Sequence, residues 1–282
     1  MFWMDCHTHT SLSPDGEGTV EQLRARAVTL GLSVLTITEH VEMNRFFSQS
    51  YYGTQPRSEW EFYDHADVLE QSLKKVTEMK EKYAKLKLLC GMEMGQPNAN
   101  FILSENTVRD DRLDFVIASL HELLDEEDFF NLDYTQKSIP SLLDAYFTQL
   151  FDICRWNQFD VLGHITYPLR YIEGEAGIPV DLTPYLEQID ACFRILIQNG
   201  KGIELNTSGF RQKYGKPFPT LELLRRYQSF GGEILTLGSD AHCAADLGKG
   251  IREGIELAKA AGFQYVCYFV ERKPKFISLS SI

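Results

Sequence analysis

The segment Asp5-Cys6-His7-Thr8-His9 places three potential ligands at alternate positions near the start of the chain. In an extended strand such residues project to one side, so both imidazoles can reach one cation, with Asp5 orienting or extending the set. Two histidines spaced in this way are also explained by hydrogen bonds to backbone, so the pattern gains force only by repetition. Thr36-Ile37-Thr38-Glu39-His40, Gly91-Met92-Glu93, Ser119-Leu120-His121, Gly163-His164, Glu204-Leu205-Asn206 and Gly238-Ser239-Asp240-Ala241-His242 each close a run of β-type residues. Of the 7 histidines, all but His65 fall in such positions or in the first segment. His65 lies in a helical pattern with Asp64 and Asp67 and reads as a solvated surface residue.

The candidates His7, His9, Asp15, His40, Glu93, His121, His164, Asp240 and His242 are too many for one tetrahedral ion, and a carboxylate such as Glu93 can bridge two cations. Two or three divalent ions are implied. Mixed imidazole and carboxylate donors suit zinc, manganese or iron and exclude a thiolate site. Cys6 and Cys243 lie beside these positions but alternate away from them, which makes them packing residues.

Strands are expected over 2–6, 33–38, 86–91, 115–119, 161–163, 202–205, 233–237 and 265–270, and helices over 19–30, 63–82, 138–157, 182–199, 220–230 and 249–261, from runs and from apolar spacing of three and four. Thr19 followed by Gln22 forms a capping-box pattern, and Gly31, Gly200, Gly231 and Gly262 stand where helices should stop. The βα rhythm predicts an α/β chain, a closed parallel barrel in preference to an open doubly wound sheet, with all strand ends gathered on one face. Residues 1–282 are expected to form one domain, since no linker or composition shift divides them. Two segments break the rhythm: 41–62 is aromatic (Phe46, Phe47, Tyr51, Tyr52, Trp60), fitting either a lid or ordinary packing, and 122–137 is acidic and reads as a solvated face.

Composition narrows the partners. Lys plus Arg number 28 against 40 Asp plus Glu, and the net charge of -12 argues against a general binder of nucleic acid or anionic membranes. The start, Met1-Phe2-Trp3-Met4-Asp5, lacks the basic region of a secretory signal, and no apolar run approaches the roughly 20 residues of a membrane span. With 6 cysteines and no C-x-x-C pair, free buried thiols in a reducing compartment are expected, so the cytoplasm is the expected location.

Taken in order, Asp5-x-His7-x-His9, Ser13-Pro14-Asp15-Gly16, Thr38-Glu39-His40, Gly91-Met92-Glu93, Ser119-Leu120-His121, Gly163-His164 and Ser239-Asp240-Ala241-His242 resemble the motifs of the polymerase and histidinol phosphatase (PHP) family. The stretches from Gly163 to Arg170 and from Glu204 to Arg211 look like its histidinol-phosphate phosphatase branch. The resemblance implies a distorted TIM-like (β/α)7 barrel with a trinuclear centre at the C-terminal ends of the strands. It further implies one ion on His7, His9, Glu93 and Asp240, a second on Glu93, His121 and His164, and a third on Asp15, His40 and His242. Some members carry His in place of Asp15, and that oxygen donor weakens the case for a pure zinc centre. Glu39 stands where Asp is commoner and is assigned no ligand role.

The implied activity is hydrolysis of L-histidinol phosphate to L-histidinol and phosphate in histidine biosynthesis. A hydroxide bridging two ions is expected to attack phosphorus. Arg170 and Arg211 are expected to grip phosphoryl oxygens with their forked donors, and Asn206 joins them as a substrate-binding residue. Glu93, Asp240 and His242 are the expected catalytic residues, with Asp240 or His242 relaying a proton to the leaving alkoxide. Glu42, Phe47, Tyr51 or Tyr52 and the acidic loop are candidates for recognising the ammonium and imidazole of the leaving group. The alternatives are another PHP hydrolase acting on nucleotides or other phosphate esters, a nuclease, or a non-catalytic module; the retained ligand set and the acidic charge weigh against the last two.

Overall fold

In the computed structural model, which describes residues 3–43, 65–80, 85–124 and 126–282, seven parallel strands follow one another in sequence order around a nearly closed barrel. They are β1 (Met4–Asp5), β2 (Val34–Glu42), β3 (Lys87–Gly95), β4 (Phe115–Ser119), β5 (Val161–Leu162), β6 (Gly202–Asn206) and β7 (Leu235–Gly238). The last strand returns to the first: Cys6 N donates to Leu237 O at 2.9 Å, Asp240 N to His7 O at 2.9 Å, and Thr8 bridges to Ala241. That closing seam runs through the segments carrying His7, His9 and Asp240. The expected distorted TIM-like (β/α)7 barrel is therefore the observed architecture.

Around the barrel lie α1 (Val20–Leu30), α2 (His65–Lys80), α3 (Phe101–Thr107), α4 (Ile139–Trp156), α5 (Leu186–Gln198), α6 (Leu221–Ser229) and α7 (Ile251–Ala261). Local chemistry sets their ends. Thr19 and Gln22 form the reciprocal capping box at the start of α1, and Gly31 ends it at φ 75°, a left-handed conformation that costs glycine nothing. Helix α4 buries Leu142, Leu143, Tyr146, Phe147, Leu150, Ile153 and Cys154 along one face, at roughly 1.5–3 kcal/mol for each large side chain. That burial, rather than intrinsic propensity, holds the helix against the barrel.

Two strands run four residues further than expected. β2 and β3 pair over nine positions from Val34↔Lys87 to Glu42↔Gly95, so Glu39, His40, Glu42 and Glu93 stand inside strands rather than after them. Every residue of β2 is buried, which sustains the pairing past Thr38. The expected strand at 265–270 is present as β8 (Tyr265–Val270), but it forms an antiparallel hairpin with β9 (Lys273–Ser278) outside the barrel sheet.

All six cysteines are free, and no helix among the described residues is long and apolar enough to cross a membrane. Residues 44–62 of the aromatic segment, including Phe46, Phe47, Tyr51, Tyr52 and Trp60, lie outside the described residues, as does the side chain of His65. The acidic segment is more than a solvated face: Glu122 bridges to Asp128, Phe129 is buried beneath it, and the Tyr134 hydroxyl donates to Phe129 O at 2.5 Å.

Candidate metal centre

Glu93 stands at the middle of the C-terminal face, 1% exposed, and its two oxygens look in different directions. Oε1 lies 2.8 Å from His164 Nε2 and 3.2 Å from His121 Nε2, while Ser119 Oγ donates to it at 2.7 Å. Oε2 lies 3.2 Å from His7 Nε2 and 3.5 Å from His9 Nε2. Asp240 Oδ1 approaches the same two imidazoles at 3.6 and 3.4 Å. On the outer side Asp15 meets His242 Nε2 at 3.1 Å and His40 Nε2 at 3.7 Å. All nine expected positions thus come together in one cluster.

Three sets within it have ligand atoms mutually within 4.8 Å: His7, His9 and Asp240; His40, Glu93 and His121; and His9, His40 and His242. The first holds three of the four residues expected for one ion, without Glu93. The others differ from the expected partition, since His40 reaches Glu93 Oε2 at 3.1 Å and His9 stacks on His40 and His242 with centroids 4.2 and 4.3 Å apart. His164 keeps its place through Glu93 and through His121, whose Nε2 is 3.3 Å from its own.

Whether cations fit follows from what is unsatisfied. His7 Nε2, His9 Nε2 and Glu93 Oε2 are buried without a hydrogen-bond partner among the described residues, and each such atom costs about 1–3 kcal/mol if nothing coordinates it. These atoms converge, and a divalent ion among them would engage all three. The carboxylates touching imidazoles are Asp15, Glu42, Glu93, Glu204 and Asp240, five negative charges close to the combined charge of two or three divalent ions. Burial opposes ionisation of Glu93 and Asp240, yet the neighbouring imidazoles, His7 foremost, hold both well below the usual carboxylate range. His9 moves the other way: burial and the adjacent His40 and His242 pull it down to about 3, leaving a neutral imidazole suited to ligation.

The outer contacts revise several expectations. Asp5 does not extend the cluster; its carboxylate accepts from Ser239 N at 2.9 Å, Ser239 Oγ at 2.5 Å and Gly248 N at 2.9 Å, tying down the turn after β7. Arg211 grips the same turn, with Nη1 on Ser239 O and Nη2 on Asp240 O, both at 2.6 Å, and Nε 3.2 Å from Asp246. Its fork is committed to backbone, where the expected role was a phosphoryl oxygen. The residue between these anchors, Asp240, has φ 53°, a left-handed conformation tolerated by Asp but costly enough to need such support.

Asn206, expected to bind substrate, is fully buried, with Oδ1 accepting from Ser208 N and Oγ at 3.0 and 2.7 Å and Nδ2 donating to Glu204 Oε2 at 3.2 Å, so both ends of its amide are engaged within the fold. Its strand neighbour Glu204 carries the part that matters: Oε1 is 2.6 Å from His7 Nδ1, and Oε2 accepts the His164 N–H at 3.0 Å. Glu39 serves the Thr10–Ser13 turn, accepting from Thr10 Oγ1 and Ser13 Oγ at 2.6 Å each. Glu42, expected at the rim as a recognition group, faces inward onto His40 and His121. Arg170 alone of the two arginines keeps its guanidinium clear of hydrogen bonds and ion pairs among the described residues; it lies 5.3 Å from the Tyr171 ring centroid. Burial would lower its pKa, but the facing tyrosines, Asp240 and Asp128 raise it.

Comparison with known proteins places this geometry in context. The family model described as "PHP domain" matches residues 5–208. A Thermotoga maritima protein named "Probable histidinol-phosphatase" is 25% identical over 270 residues, covering 93% of this chain and 94% of its own. A Lactococcus lactis "Histidinol-phosphatase" is 27% identical over 269 residues, covering 94% of each. The crystal structure of a Lactococcus lactis histidinol phosphate phosphatase, complexed with zinc, L-histidinol and phosphate, superposes with a TM-score of 0.78 at 24% identity, over 98% of this chain and 100% of that one, and shows the same fold.

Proposed function

The chain belongs to the PHP domain family, and from that membership we propose that it is a metal-dependent phosphomonoesterase hydrolysing L-histidinol phosphate to L-histidinol and phosphate. The observation that carries this reading is Glu93, whose Oε1 faces His121 and His164 while its Oε2 faces His7, His9 and His40, as a carboxylate that would be shared by two cations. The names of the relatives supply the substrate.

His7, His9, Glu93 and Asp240 would hold one ion, Glu93, His121 and His164 a second, and Asp15, His40 and His242 a third, with His9 and His40 close enough to neighbouring sets to move between them. Divalent ions bound there, whether zinc, manganese or iron, supply Lewis acidity toward the phosphoryl oxygens and a water acidic enough to act as nucleophile at neutral pH. The P–O ester bond breaks as the new P–O bond forms, and the leaving alkoxide takes up a proton. Asp240 or His242 would hold that proton, a role supported by the His242 side chain being 28% exposed at the rim, with Nδ1 3.1 Å from Asp240 O and 3.6 Å from Asp240 Oδ1. Arg170 is the residue for a phosphoryl oxygen, while Arg211 and Asp5 keep the Asp240 turn in place.

A net charge of -12 favours a small ester over a polyanion, and location in the cytoplasm fits a soluble biosynthetic substrate. The test is a phosphate-release panel of histidinol phosphate, nucleoside monophosphates, sugar phosphates and short DNA. Histidinol phosphate is expected to have the highest kcat/KM; a clear preference for nucleotides would overturn the substrate while leaving the metal centre intact.

A further inference from the structure

We propose that Glu42 is a positioning residue that couples two metal sites by clamping His40 and His121 with a single carboxylate oxygen, and that Gly95 lacks a side chain in order to seat it. This rests on the metal-centre reading above. Glu42 Oε1 lies 3.0 Å from His40 Nδ1 and 3.0 Å from His121 Nδ1. His40 Nδ1 also lies 3.1 Å from Glu93 Oε2, but only its contact with Glu42 has hydrogen-bond geometry, so each imidazole then carries its proton on Nδ1 toward Glu42 and presents the Nε2 lone pair to the cluster, the orientation a second carboxylate imposes on a ligating histidine. The two rings serve different neighbourhoods: His121 Nε2 faces Glu93 and His164, and His40 Nε2 faces His242 and Asp15. One oxygen therefore sets the separation of both.

The seat is an independent observation. Glu42 pairs directly with Gly95 across β2 and β3, and the Glu42 side chain is only 5% exposed. A Cβ on Gly95 would lie 2.6 Å from Glu42 Oε1 and overlap both Oε2 and Cδ. Gly95 has an ordinary strand neighbourhood and no positive φ, so backbone conformation does not explain a glycine there. A methyl group at position 95 meets the Glu42 carboxylate first and must push it off the two imidazoles.

The experiment compares Glu42→Ala, Gly95→Ala, Glu42→Gln and the double variant Glu42→Ala/Gly95→Ala with the wild type, by zinc affinity in chelator competition and zinc content after dialysis, with circular dichroism to verify folding. Glu42→Ala, Glu42→Gln and Gly95→Ala should each weaken zinc binding by about 10–100-fold. The double variant should bind no more weakly than Glu42→Ala, because the methyl group harms only when the carboxylate is present. Wild-type affinity in Glu42→Gln, or in folded Gly95→Ala, would overturn the proposal, as would a double variant in which the two losses add. A wild-type chain that binds no zinc, manganese or iron would sink the metal-centre reading itself, and is thereby distinguished from failure of the clamp alone.

Discussion

At the N-terminal ends of the strands, Asp114 and Asp160 are buried just before β4 and β5; at the C-terminal ends, Glu93 and Asp240 are buried within β3 and just after β7. The first pair brings its own cations. Asp114 Oδ2 accepts from Lys80 Nζ at 2.7 Å and from Cys90 N at 2.9 Å, and its Oδ1 from Glu271 N at 3.1 Å. Asp160 Oδ2 accepts from Val116 N at 2.8 Å and Arg272 Nε at 2.5 Å, while Arg272 also reaches Val108 O and Gln158 O. Glu271 and Arg272 form the turn between β8 and β9 at φ 50° and 61°, and that backbone cost of order 1–3 kcal/mol each is offset by what the turn clamps. The second pair meets imidazoles and the Ser119 hydroxyl, with no ammonium or guanidinium paired to it among the described residues and three buried ligand atoms left unengaged. A buried carboxylate with its own guanidinium or ammonium closes a structure, whereas one surrounded by histidines with unused lone pairs is built to receive something else.

Three substitutions would break or sharpen that contrast. The largest effect is expected for Glu93→Ala: turnover should fall by at least about 1,000-fold and metal content should drop, with folding retained. Steady-state kinetics and metal analysis of the same preparation check it; near-wild-type turnover would remove the bridge. Arg272→Met should do the reverse, costing about 2–4 kcal/mol of stability while leaving kcat and metal content unchanged. That range is reduced from the fully buried case because the Arg272 side chain is 26% exposed. The pH dependence is set by Asp160, whose pKa is raised by burial against the pull of Arg272. Without Arg272 it rises further, so the destabilisation should be greatest at neutral pH and shrink as pH falls toward the ordinary carboxylate range, as read by urea denaturation. The smallest effect is expected for Arg170→Ala, a loss of about 10–100-fold in kcat/KM with unchanged metal content and stability, consistent with one charge-assisted contact to substrate.

Most candidate ligand positions were legible in the sequence because they join a distinctive residue type to the C-terminal part of a strand or the residues just after it, and a parallel barrel collects these ends whatever their exact limits; Asp15, in a turn beyond His9, was legible only through the Ser13-Pro14-Asp15-Gly16 motif. What lay around them was not. Glu204 and Asn206 share one face of β6 by alternation and are equally buried, and only distance separates the one that orients His7 from the one that holds Ser208. Glu42 was placed at the rim because β2 was expected to stop at Thr38; pairing with β3 carries it four residues further and turns it inward. Arg170 and Arg211 have similar settings in sequence, but the backbone carbonyls that claim Arg211 belong to a turn 28 and 29 residues away. Helix α3 spans 7 residues, too short to show apolar periodicity, and β9 contains Pro274 between two lysines, which masks a strand.

Elemental analysis of the chain purified without chelator tests the central claim most directly. The account predicts about two to three divalent ions per chain, lost on Glu93→Ala and retained on Arg272→Met. Less than about one ion per wild-type chain, before and after incubation with zinc, manganese or iron, would contradict it.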